Sequence, residues 1–179
     1  MQWPTFVTAH TSDLDAATLE AGRALLDDAF EGDFTDQDWE HALGGVHALV
    51  WEDAELVGHA SVTQRRLLHG GHALRAGYVE GVGVRADRRR RGYGGVMMDS
   101  LERVVRSAYE LGALSATENA VDFYRARGWK PWRGLTSALT PAGIGRTEDD
   151  DGSIYVLPLT VELDLAGELT CDWRDGDVW

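Results

Sequence analysis

The stretch Leu74-Arg75-Ala76-Gly77-Tyr78-Val79-Glu80-Gly81-Val82-Gly83-Val84 runs directly into Arg85-Ala86-Asp87-Arg88-Arg89-Arg90-Arg91-Gly92-Tyr93-Gly94-Gly95, and the order of the two segments decides the fold. The first is an extended apolar run interrupted by Gly77, Gly81 and Gly83. Inside a strand, glycine marks a bulge or a close approach to the backbone. The second segment is a basic loop rich in glycine. Beyond it Val96, Met97, Leu101, Val104, Val105 and Leu111 recur at helical spacing, and Gly112 reads as the C-cap. A loop that follows a strand and opens a helix leaves its N–H groups free at the positive end of the helix dipole, which suits a pyrophosphate. The glycines admit a ligand close to the main chain, and the arginines neutralise phosphates lying outside the cradle.

Working outward, Asp13-Leu14-Asp15 precedes a helical pattern in which Leu14, Leu19, Ala21, Leu25, Leu26 and Phe30 share one face. His47 to Trp51 and Leu56 to Val62 read as two strands joined by a tight turn at Glu52 to Glu55, an antiparallel hairpin. Downstream come a short strand at Ala113 to Ser115, a short helix from Val121 to Arg127 stopped by Gly128, and late strands at Ile154 to Leu157 and Leu159 to Leu165. No internal repeat, low-complexity tract or linker interrupts the chain, so the class is mixed α/β.

The 179 residues, 44% of them hydrophobic, predict one compact domain over 1–179. From Met1 to His10 there is no basic stretch followed by an apolar run, and no segment approaches the roughly 18 apolar residues of a membrane span. A soluble, cytoplasmic protein is expected. Cys171 is the single cysteine and has no metal-ligand spacing around it, so neither a disulfide framework nor a zinc site is predicted. The six histidines, His10, His41, His47, His59, His69 and His72, likewise lack metal spacing and receive no role.

The net charge of -13 is unevenly spread. Ten acids lie between Glu148 and Trp179 against Arg174 alone, whereas Arg85 to Arg91 holds five arginines against Asp87. The terminal segment suits a cation and the loop suits an anion. Overall negative charge and the lack of a broad basic face weigh against nucleic acid as a partner. Interleaved Leu169, Trp173, Val178 and Trp179 argue that the acidic segment packs.

Arg89-x-x-Gly92-x-Gly94 resembles the acetyl-coenzyme A pyrophosphate motif of GNAT acetyltransferases. Phe123-Tyr124-Arg125-Ala126-Arg127-Gly128-Trp129 is similar to that family's second hallmark, although Thr117 stands where many members carry asparagine. A closer resemblance spans nearly the whole chain. Gly32 to Thr35, Asp38 to His41, Leu43 to Gly45, Gln64 to Arg66, Gly77 to Gly81, Asp149 to Gly152 and the ending Cys171 to Trp179 are similar to the aminoglycoside 2'-N-acetyltransferases of actinobacteria.

The resemblance implies a GNAT fold: a mixed, mostly antiparallel sheet, splayed where acetyl-coenzyme A enters, with helices on both faces. It implies that the N–H of Val82 binds the acetyl carbonyl, while Gly83, Val84, Arg89, Arg90, Arg91, Gly92, Tyr93, Gly94 and Gly95 hold the pantetheine arm and pyrophosphate. Tyr124 is implied as the acid that protonates the departing sulfur, and Glu80 as the base acting through a water. Apart from the resemblance, Tyr124 reads as a packed helix tyrosine and Glu80 as a carboxylate on a strand edge. Asp38, Glu80, Gly81, Ser115, Asp150, Asp177 and Trp179, the last through its carboxylate, are implied to bind the aminoglycoside. Trp39, Trp129 and Trp132 are read as core or pocket wall. The implied co-substrate is acetyl-CoA without a metal, the implied assembly a homodimer, and the implied consequence antibiotic resistance. Acetylation of a cellular amine or amino sugar, and a non-catalytic module binding acetyl-CoA or a polycation, stay open as alternatives.

Overall fold

The computed structural model describes residues 3–179; Met1 and Gln2, the start of the segment searched for a leader, lie outside the described residues. The chain forms two compact units. One takes the chain up to Thr63 together with Val79–Val104, the other Gln64–Tyr78 together with Val105–Trp179.

In the first unit, strand β1 (Thr5–His10) pairs antiparallel with β2 (Val46–Glu52), and β2 pairs antiparallel with the first half of β3 (Glu55–His69). The hairpin turn predicted at Glu52 to Glu55 is present. Asp53 (φ 48°) and Ala54 (φ 67°) both take left-handed conformations, the geometry a two-residue hairpin needs to match strand twist. Helix α1 (Ala16–Ala29) starts where the Asp15 carboxylate accepts the Thr18 N–H at 2.8 Å. It buries Leu25 and Leu26 against Phe34, Leu49 and Leu56. A second helix, α2 (Asp36–Ala42), begins with a capping box. Thr35 accepts the Asp38 N–H, and Asp38 Oδ2 accepts the Thr35 N–H at 2.8 Å. Sequence periodicity did not reveal this seven-residue helix. The second half of β4 (His72–Val84) and most of α3 (Tyr93–Ala108) complete the unit.

In the second unit the strands are β5 (Leu111–Ser115), β6 (Lys130–Pro131), β7 (Thr136–Thr140), β8 (Gly143–Arg146), β9 (Ile154–Pro158) and β10 (Leu169–Cys171), with the remaining halves of β3 and β4. Their order is β6-β9-β5-β4-β3-β10-β7-β8. Pairing is parallel at β4–β5 and β10–β7 and antiparallel at β5–β9, β6–β9, β10–β3 and β7–β8, so the expected mixed, mostly antiparallel sheet is observed. The β4–β5 ladder joins Ala76 to Leu111, Gly77 to Gly112 and Tyr78 to Ala113, and β4 continues to Val84. Helix α4 (Val121–Ala126) ends just before Gly128, whose φ of 91° stops it as predicted. The core includes Leu67, Tyr78, Leu111, Trp132, Ile154 and Trp179.

Two expectations are corrected. Gly112 does not cap α3. The helix ends at Ala108, and Leu111 and Gly112 belong to β5, where a Cβ on Gly112 would meet the Trp129 ring at 2.8 Å. Glycine there makes room for an aromatic ring rather than for a helix end. Leu159 to Leu165 is not a strand either. Val161, Leu163 and Leu165 pack partly buried on the core between exposed Glu162 and Asp164, and this alternation imitates a strand. No ladder forms there, although the Leu165 carbonyl accepts the N–H groups of Arg133 and Gly134 at 2.8 and 3.0 Å. Among the described residues no helix is long and apolar enough to cross a membrane, and no group of three or more His, Cys, Asp or Glu is placed to hold a metal ion.

Candidate active site

In the first unit the anion loop turns through a single 3-10 turn, Ala86–Arg88, before α3 begins at Tyr93. Gly92 has φ 83°, with open space where a Cβ would stand, and the N–H of Val96 makes a helical bond to its carbonyl at 3.1 Å. The N–H groups of Tyr93, Gly94 and Gly95 precede that bond and so lack a helical acceptor. Two of the three carry no side chain to screen them. This arrangement fits an anionic diphosphate.

The arginines are not all turned to a ligand. Arg85 pairs with Glu55 at 2.6 Å and Asp87 at 2.7 Å, and Arg88 pairs with Glu52 at 2.5 Å and Asp87 at 2.6 Å. Arg91 reaches Glu52 at 3.5 Å, and the Tyr93 hydroxyl also donates to Glu52. The Tyr93 hydroxyl first, then Arg88, hold the Glu52 carboxyl below its ordinary range. Arg89 donates to the carbonyls of Val84 (3.2 Å) and Ala29 (3.3 Å), while Arg90, at φ 61°, is exposed. Sequence reading missed Glu52 as the organising anion of this loop, because it sits 36 residues before Arg88 at a hairpin end.

Along the end of β4, Glu80 is half-buried and Gly81 takes φ 55°. The close approach that the glycines announced comes from α1. A Cβ on Gly81 would meet Leu26 Cδ1 at 3.0 Å, and one on Gly83 would meet Leu26 Cδ2 at 2.9 Å. The Gly81 carbonyl lies 2.7 Å from Nδ1 of His59, and the Glu80 carbonyl accepts from Ser61 at 3.4 Å. Asp38, expected to bind substrate, has its Oδ2 engaged by the capping box of α2.

In the second unit Tyr124 is 6% exposed, with Phe123 and Trp129 at 5.2 and 6.1 Å between ring centroids. Burial pushes its phenol up to about 12, opposed by Arg127. Ser115 is exposed at the end of β5. The acidic segment is packed, not frayed. Trp179 is 3% exposed, and its indole N–H donates to Thr147 at 2.9 Å. The Trp179 backbone N–H donates to Asp177 Oδ1 at 3.3 Å. Asp151 serves structure. It pairs with Arg146 at 2.6 Å and accepts the Thr136 N–H at 2.9 Å, and chiefly Arg146 holds it down to about 2. Asp150 behaves oppositely: burial, then the charge of Asp177, raises its pKa. Two carboxylates that repel one another in a partly desolvated place are relieved by a bound cation. Thus Asp150, Asp177 and Trp179 are brought together in one unit, and Glu80 to Val84 lead into the anion loop in the other. Trp129 and Trp132 are core rings rather than pocket walls, 2% and 1% exposed, with Trp132 donating to the Gly167 carbonyl at 3.0 Å.

Comparison with known proteins gives the chain relatives in sequence and in fold. Residues 10–132 match the acetyltransferase (GNAT) domain. An aminoglycoside 2'-N-acetyltransferase from Mycolicibacterium fortuitum is 55% identical over 174 residues, covering 95% of this chain and 89% of that protein. Two solved structures share the fold at low identity. Escherichia coli ElaA has a TM-score of 0.61 at 20% identity, over 88% of this chain and 99% of its own. A GNAT family acetyltransferase from Brucella melitensis, in complex with acetyl-CoA, has 0.61 at 15% identity, over 92% and 94%.

Proposed function

The chain belongs to the GNAT acetyltransferase family, and from that premise we propose that it transfers an acetyl group from acetyl-CoA to the 2'-amine of an aminoglycoside. The observation that carries the proposal is the 55% identity, over 95% of the chain, to a relative named for that reaction. Two local features support it: first-turn N–H groups suited to a diphosphate, and an Asp150–Asp177 pair suited to an ammonium group.

Acetyl-CoA, when bound, supplies an acyl thioester ready for attack by a free amine. Tyr93, Gly94 and Gly95 are assigned to its diphosphate through their N–H groups, with Gly92 leaving the approach open and Arg89, Arg90 and Arg91 adding positive charge. Gly83 and Val84 line the arm, and the Val82 N–H is the donor to the acyl oxygen, where negative charge grows during transfer. Glu80 takes the proton of the acceptor ammonium through a water. Tyr124 is protonated at neutral pH, as an ordinary phenol is, and burial raises its pKa further; it gives that proton to the leaving sulfur. Asp38, Gly81, Ser115, Asp150, Asp177 and Trp179, with Glu80, are assigned to the aminoglycoside. A homodimer, a cytoplasmic setting and a part in antibiotic resistance belong to the same proposal.

Thiol release tests it, with acetyl-CoA and two related aminoglycosides that differ only in a 2'-amine or a 2'-hydroxyl. Release is expected with the amine alone. Equal rates with both would overturn the 2' assignment, and silence with both would overturn the activity.

A further inference from the structure

Three side chains outside the assigned site form an unbroken series that ends on it. Thr11 Oγ1 lies 2.7 Å from His47 Nε2, His47 Nδ1 lies 2.9 Å from His59 Nε2, and His59 Nδ1 lies 2.7 Å from the Gly81 carbonyl. At the far end the Gly44 N–H donates to Thr11 Oγ1 at 2.9 Å. Both rings are buried, His47 at 0% and His59 at 1% exposure.

The direction of every bond follows by elimination. A carbonyl only accepts, so His59 carries its proton on Nδ1, which leaves Nε2 of a neutral ring as an acceptor. His47 must then donate from Nδ1, and its Nε2 accepts from the Thr11 hydroxyl at 2.7 Å, a shorter contact than the 3.3 Å from that hydroxyl to its other acceptor, the Gly45 carbonyl. Burial lowers both imidazoles to about 4, so both are neutral near pH 7. The series is one-directional from the Gly44 N–H to the Gly81 carbonyl. It also ends on a group that does not take up a proton, so it holds a position and does not conduct protons.

What it holds is the left-handed residue of β4. Gly81 at φ 55° separates Glu80 from Val82, and Leu26 packs within 3.0 Å of where its Cβ would stand. Fixing the Gly81 carbonyl fixes the peptide plane whose other end is the Val82 N–H, because a peptide unit is planar. The same bond limits the rotation that would re-aim Glu80 one residue earlier. We propose that Thr11, His47 and His59 are positioning residues for acyl transfer, a hydrogen-bond relay that locks the Gly81–Val82 peptide so that the Val82 N–H and the Glu80 carboxylate keep their aim. The inference rests on the acetyltransferase reading above.

Its test has two arms. Nitrogen-15 NMR of the histidines in the unmodified protein at pH 7 reads the tautomers directly. Both rings are expected to be neutral with the proton on Nδ1, and a proton on Nε2 of His59 overturns the relay. In the kinetic arm, His59→Leu is expected to lower kcat about tenfold or more with the acetyl-CoA KM unchanged. His59→Asn, whose amide N–H sits where the Nδ1–H did, recovers part of that loss. Unchanged kcat in His59→Leu, or equal losses in the two variants, overturns the positioning role. A wild-type protein that transfers nothing sinks the acetyltransferase reading instead, and the tautomers then decide the relay by themselves.

Discussion

At the scale of single residues, two substitutions separate chemistry from binding. Tyr124→Phe removes a hydroxyl but keeps the ring that packs on Phe123 and Trp129. Turnover is expected to fall about a hundredfold or more, with both KM values little changed, in steady-state thiol-release kinetics. Asp177→Ala acts the other way. It removes one member of a repelling pair, so the aminoglycoside KM should rise about tenfold while the acetyl-CoA KM holds. The pKa of Asp150, raised in part by Asp177, should move back toward the ordinary range, as a carbon-13 titration of its carboxyl would show. The sequence made Tyr124 and Asp177 visible because each sits in a contiguous motif. It did not reveal Glu52 or the two buried histidines. Their partners lie 12 to 41 residues away, and only folding of the β2–β3 hairpin beside the turn after β1, β4 and the anion loop brings them within hydrogen-bonding distance.

At the scale of elements, the strand-loop-helix seam was the most legible part, because hydrophobic period, charge and glycine all change at one place. Glycines elsewhere were ambiguous. Gly112 looked like a helix end and proved to be a strand position facing an aromatic ring, a distinction that depends on Trp129, 17 residues further on. Short elements were illegible for a simpler reason. β6, β8 and β10 have two to four residues, too few to show a period of two, and they exist through pairing with distant strands. The packing of α1 on β4 gives a testable magnitude. In Gly83→Ala the new methyl would stand 2.9 Å from Leu26 and 3.3 Å from Ala29, inside the first unit. Overpacking of this kind costs about 1–3 kcal/mol. Urea unfolding should show a lowered midpoint at unchanged slope; a midpoint equal to wild type would mean that α1 yields without strain.

At the scale of the whole chain, the charge total was readable from composition, while its chemical use was not. Part of the acidity is structural, as Asp151 and Glu52 illustrate, and part is left repelling itself, as Asp150 and Asp177 illustrate. The buried histidines contribute to the pH response of stability. Their pKa values fall from 6.5 to about 4 on folding, so between those values the unfolded chain binds protons that the folded chain refuses. Their contribution is complete above pH 6.5 and is lost as pH falls toward about 4. Replacing His59 with Leu should flatten this acid limb in urea titrations taken across that window; an undiminished limb would assign the pH response to other groups. Where the acetyl group goes is read directly by NMR of the acetylated product of an aminoglycoside with several amines, one at 2'. One acetyl group, on the 2'-nitrogen, is expected. Acetylation at any other nitrogen, or recovery of unmodified aminoglycoside, would contradict it.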